Sequence, residues 1–267
     1  MSREIQCEFE INASIDEVWR ALVEAEHICR WFAPYTESEP GPDGFIGLGW
    51  KDSQAIERMT FSAWEPPSRL ILNWHAAPAG VIPIRLPVEF QLTQTGGKTR
   101  LKLVQSGFLS DESWDDEFLS HSRGWNTELR FLKHYLENFL GKTRQIFKGK
   151  SPAGNIDLDN IVGPAGLFKT LQPTDTFKSG ESFELLLPGG ARTHCKLLYV
   201  RSAMDFVCVC DVLDGGVIRI AIESLATDPV LMFWAFSWNL AEDQLTRLVR
   251  PWYETLLKEL DLKGSAT

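Results

Sequence analysis

His75 and His121 are two histidines of the first half whose type could move a proton near neutral pH, with Glu57 a carboxylate that either could meet. An imidazole that meets a carboxylate inside a cavity makes a general acid or base. No spacing in the sequence requires that meeting. His75 follows Trp74 on a strand and faces the opposite side, and His121 precedes a long helix, so both read by default as surface or hydrogen-bonded histidines. Trp114-Asp115-Asp116-Glu117 gathers three acids. These suit the positive end of a helix better than a metal. Cys208-x-Cys210 places two thiols on one face of a strand, as a soft-metal site would need, but there is no second pair and no histidine close to this one in sequence. The five cysteines, Cys7, Cys29, Cys195, Cys208 and Cys210, therefore read as reduced, buried thiols, and no metal or cofactor is expected. The nucleophile elbow GxSxG, the Walker loop, HExxH and the dinucleotide glycine fingerprint do not occur, which sets aside the enzymes built on them.

The elements that would carry these residues are well punctuated. Residues 3–12 alternate, with Phe9 and Ile11 against Glu8, Glu10 and Asn12, and predict a half-exposed strand. Ser14 and Glu17 form a capping box for a short helix with Val18, Trp19 and Leu22 on one side. His27 to Phe32 follows and ends before Pro34, and Pro40 to Gly44 is a turn. Strands are expected over 55–64, 69–75, 87–95 and 99–105, separated by Pro66-Pro67, Pro78 and Gly96-Gly97. From Gly124 to Leu140, Trp125, Leu129, Leu132, Leu136 and Phe139 recur every three or four residues, the mark of a core-facing helix. A strand, a short helix, several strands and one long helix make an α+β fold in which a curved sheet grips a helix over an apolar interior.

With 267 residues the chain suits two units. The broken periodicity of residues 141–160 places a linker near residue 150, giving domains at 1–145 and 155–267. The second, smaller unit reads as strands 181–187, 193–200, 205–213, 216–225 and 230–238, then a helix over about 240–260 that Pro251 should kink. It repeats the order of the first unit without a recognisable opening strand and capped helix, and so reads as a truncated copy. A net charge of -9 argues against a nucleic-acid partner and against an acidic membrane surface. No apolar run reaches the roughly 18 residues of a membrane helix, and no signal-peptide layout opens the chain. A cytoplasmic location is expected.

The first half resembles the START-like, or SRPBCC, superfamily, in particular its AHSA-type branch related to activators of the heat-shock chaperone ATPase. The residues that carry the resemblance are Phe9-x-Ile11-x-Ala13, Glu17-Val18-Trp19-x-Ala21-Leu22, Arg30-Trp31-Phe32, Leu72-x-Trp74, Val88-x-Phe90-x-Leu92, Gly97 to Leu101, Ser106-Gly107-Phe108 and Gly124-Trp125. The resemblance implies a helix-grip fold with a cavity between the sheet and the last helix. It also implies one of three roles: binding of a small hydrophobic molecule, contact with a protein partner, or cyclase- or dehydratase-type catalysis in the cavity. Binding is the leading expectation, with a neutral or weakly polar ligand and no enzyme activity assigned. Seven of the ten tryptophans lie in the first half. The expected ligand-binding residues are Trp31, Phe32, Trp74, Phe90, Leu103, Gln105, Phe108, Trp125 and Leu129, with Gln105 as the polar member. Large rings at these positions either line a cavity or fill it.

Overall fold

The computed structural model describes all residues except Met1, 51–55, 77–81, 155, 202–203, 226–227, 262–263 and 267, and leaves out the side chains of residues 224, 225, 228, 265 and 266. Residue 55 and Pro78, used above to mark strand ends, lie outside the described residues. The chain divides into two compact units, Met1–Lys142 and Thr143–Thr267.

The first unit opens with β1 (Ser2–Ile11), α1 (Ile15–Val23) and α2 (Ala25–Ile28). The capping box forms as the sequence predicts: Ser14 Oγ accepts from the Glu17 amide, and the Ser14 amide donates to Glu17 Oε2 at 2.8 Å. A meander follows: β2 (Tyr35–Glu39), β3 (Phe45–Gly49), β4 (Glu57–Glu65), β5 (Arg69–Ala76), β6 (Ile84–Thr95) and β7 (Lys98–Leu109). The short strands β2 and β3 flank the predicted turn and were not legible in advance, because Ile46-Gly47-Leu48-Gly49 carries glycine where polar residues would normally mark alternation. The antiparallel sheet runs β1-β7-β6-β5-β4-β3-β2. Register shifts between Arg3 and Ile5 in β1 and between Phe61 and Ala63 in β4 break the ladder, as bulges that bend a sheet do. The long helix α3 spans Asp115–Asn138, starting well before Gly124, so the acidic cluster is its first turn. Its Trp125, Leu129, Leu132 and Leu136 are buried as the periodicity requires. This is a helix-grip, START-like fold.

The second unit contains β8 (Gln145–Pro152), β9 (Val162–Gly163), β10 (Phe168–Lys169), β11 (Ser182–Leu186), β12 (Arg192–Arg201), β13 (Asp205–Cys210), β14 (Gly216–Leu225), β15 (Asp228–Ser237), α4 (Glu242–Glu259) and β16 (Ser265–Ala266). Its sheet runs β16-β8-β15-β14-β13-β12-β11-β10-β9. Residues 145–152, assigned above to a linker, are instead a strand paired with β15 over eight positions. The opening strand is therefore present, and, as in the first unit, the first long strand pairs with the last. Its pattern was hidden because Lys148 and Lys150 alternate with Phe147, Gly149 and Ser151, a run whose inward face is mostly small. One glycine is required there: a Cβ on Gly149 would lie 2.4 Å from the Tyr253 ring of α4. Among the described residues no long capped helix follows β8; a 3₁₀ turn at Leu158–Asn160 stands in that place. The core gathers Phe147, Phe168, Phe233, Val249 and Tyr253. No described helix is long and apolar enough to cross a membrane.

Candidate functional site

Trp125 is the hub of the first unit's aromatic interior. It is buried on α3, and its ring lies 5.7 Å from Phe32, 5.9 Å from Trp74 and 5.8 Å from Phe90, mostly edge to face. Trp31 is anchored by its indole N–H, which donates to the Ala21 carbonyl at 2.9 Å. Phe32 stacks on Trp31 at 5.1 Å and meets Trp50 edge-on at 5.8 Å; half-buried, it forms the outer leaf of the cluster. A cleft runs between these rings and the aliphatic side chains of Leu22, Ile28, Ile46, Leu48, Met59 and Leu72. Its free volume is about 20 Å³, room for one water. In this conformation the rings fill the cavity that they surround.

Of the nine residues expected to bind a ligand, Trp31, Phe32, Trp74, Phe90 and Trp125 border this cleft. Leu103, Phe108 and Leu129 are buried in the core and do not border it; Phe108 packs against Trp114, Phe118 and His121 instead. Gln105 is fully buried behind Trp125. The aliphatic wall was not anticipated. Ile46 and Leu48 belong to the unassigned strand, Leu22 read only as helix core, and Ile28 was not singled out.

The polar end of the interior is a short hydrogen-bonded chain. Trp125 Nε1 donates to Gln105 Oε1 at 2.7 Å, and His121 Nδ1 meets the same oxygen at 3.1 Å. Because an indole N–H only donates, Oε1 is the acceptor and the amide orientation is fixed. Gln105 Nε2 is left buried with no acceptor among the described residues. His121 Nε2 lies 3.1 Å from Glu117 Oε1, one helical turn earlier. The carboxylate that meets His121 is thus Glu117 rather than Glu57, and the signal for it was the i, i+4 spacing on a helix that begins at Asp115. Glu57 lies at the exposed start of β4, yet the protein around its carboxyl raises its pKa, while the charges of His121 and His75 act the other way. His75 itself is exposed, on the outer face of its strand.

A bent antiparallel sheet closed on a long helix, with an aromatic interior and one buried amide, defines the first unit as a START-like domain. Residues 12–137 match the family model described as activator of Hsp90 ATPase homolog 1-like protein. No curated protein matches the chain in sequence. Among solved structures, the protein MLL2253 from Mesorhizobium loti is 23% identical over 51% of this chain and 98% of its own, with a TM-score of 0.46. The Aha1 dimer from Colwellia psychrerythraea is 18% identical over 52% of this chain and 99% of its own, at 0.43. DynU16, a protein in the dynemicin biosynthetic locus, is 17% identical over 97% of this chain and 96% of its own, at 0.43.

Proposed function

We propose that the first unit binds a small, largely apolar, uncharged molecule between Phe32, Trp74 and Trp125, with Gln105 as its hydrogen-bonding partner. The observation that carries this reading is the unpaired Nε2 of Gln105, a buried donor beside the hub of an aromatic cluster. An orphaned donor of this kind costs about 1–3 kcal/mol unless something accepts from it. A ligand carbonyl or hydroxyl would remove that cost. The free space of about 20 Å³ means that the ligand must take the place of a ring, and half-buried Phe32 is the wall that can yield, whereas Trp31 is tied to Ala21. A cytoplasmic location accords with this reading, the buried Cys7, Cys195, Cys208 and Cys210 being free thiols.

The filled cleft also supports a second reading, contact with a protein partner, in keeping with the family's description as chaperone ATPase activators. One titration separates the two. Intrinsic tryptophan fluorescence is followed as neutral and anionic lipophilic probes are added at low and high ionic strength. Saturable, salt-independent quenching by neutral probes, strengthened at least tenfold in Phe32→Ala and weakened in Gln105→Leu, is the expected result for binding. No saturable quenching by any probe, with Phe32→Ala included, removes the ligand reading and leaves the partner reading. Native mass spectrometry of the chain purified from its own host then looks for a retained small molecule.

A further inference from the structure

The second unit brings together three thiols that the sequence pairs only in part. Cys195 of β12 lies opposite Cys210 of β13, and Cys208 precedes Cys210 by two residues on the same side of its strand. The sulfurs of Cys195 and Cys210 are 3.1 Å apart and those of Cys208 and Cys210 3.5 Å apart, with all three within 4.8 Å of one another. All three side chains are buried free thiols set in the apolar core.

We propose that Cys195, Cys208 and Cys210 form a binding site for one soft, thiophilic cation, Cu(I) foremost, held by three sulfur atoms. The donor set selects the ion. Thiolate-only sites favour soft metals, whereas structural zinc takes four ligands, and the group converging here among the described residues has three. The size fits as well. A metal–sulfur bond of about 2.3 Å places three sulfurs in a plane about 4.0 Å apart, so the closest pair must spread by roughly 0.9 Å. On the outer face of the same strands, His194, Lys196, Glu184 and Asp211 line an open depression of about 510 Å³ that Cys195 also borders. The ion enters as Cu(I) and keeps its valence; thiol protons displaced on binding leave to solvent.

The test uses the full-length reduced chain under nitrogen, titrated against Cu(I) held by bicinchoninate, with transfer read from loss of the chelator's colour. One equivalent per chain is expected, with at least tenfold weaker uptake in each of Cys195→Ser, Cys208→Ser and Cys210→Ser and no change in Cys7→Ser or Cys29→Ser. X-ray absorption of the loaded wild-type chain should show three sulfur neighbours, a readout independent of whether the variants fold. Failure of the wild-type chain to take up the ion overturns the proposal, as does uptake that depends on Cys7 or Cys29, or fewer than three sulfur neighbours.

Discussion

Trp125 Nε1 donates to Gln105 Oε1 at 2.7 Å, so the long helix and strand β7 are joined by a buried hydrogen bond inside a shell of aromatic rings. Packing and polarity are thus coupled at one side chain. Trp125→Ala removes both and should cost on the order of 3–5 kcal/mol. Trp125→Phe keeps most of the ring packing and leaves His121 Nδ1 on Gln105 Oε1, so it loses one hydrogen bond and should cost about 0.5–1.5 kcal/mol. Urea unfolding of the two variants checks the order. Equal losses would mean that the ring packing contributes nothing beyond the hydrogen bond, and an unchanged Trp125→Phe would mean that the bond contributes nothing.

The His27 ring is buried and held neutral. Arg20, which can only donate, meets Nε2 at 3.3 Å, so Nδ1 carries the proton toward the Tyr135 hydroxyl at 2.8 Å. Burial, then the charges of Arg20 and Arg30, lower its pKa; Glu24 and Glu26 oppose them. Because the folded pKa is depressed, the stabilising effect is complete above the ordinary histidine value of about 6.5. It is lost as the pH falls from there through the folded pKa. Thermal melts between pH 7.5 and 5 should show the first unit weakening in that window, and His27→Gln should flatten the slope. An unchanged slope would place the pH dependence elsewhere.

In the second unit Arg219 forms a two-pronged ion pair with Asp205, at 3.0 and 3.1 Å, with Asp205 fully buried. Removing one partner leaves a charge without compensation, so Arg219→Met should cost about 3–5 kcal/mol. Replacing both, as Asp205→Leu with Arg219→Met, should restore most of that loss. A double variant as unstable as the single one would show that shape, not charge, sets the cost.

Strand β8 predicts where the second unit can be cut. Residues 143–267 retain the strand that pairs with β15 and lies under α4, and should melt cooperatively. Residues 155–267 expose the β15 edge and the apolar side of α4, and should aggregate. Gly149→Val should destabilise the longer fragment, since its side chain meets the Tyr253 ring. Light scattering and circular dichroism on the two fragments distinguish these outcomes; a soluble, cooperatively melting 155–267 fragment would remove β8 from the core.

The sequence by itself determined the elements whose signals are local. Ser14 and Glu17 cap α1 because three residues is the reach of that hydrogen-bonded box, and the recurrence of Trp125, Leu129, Leu132 and Leu136 sets the buried side of α3 through the helical period. Other features are properties of distance between remote residues, which no local pattern encodes. Only the tertiary structure decided that Phe32 and Trp125 close the cleft to about 20 Å³, because ring packing depends on the separation of sheet and helix. The long-range register of β8 against β15 likewise turned an apparent linker into a core strand. Cys195 meets Cys210 because the register of β12 against β13 sets them opposite one another, fifteen residues apart in the chain. Pairing of strands, not spacing along them, assembles that thiol group.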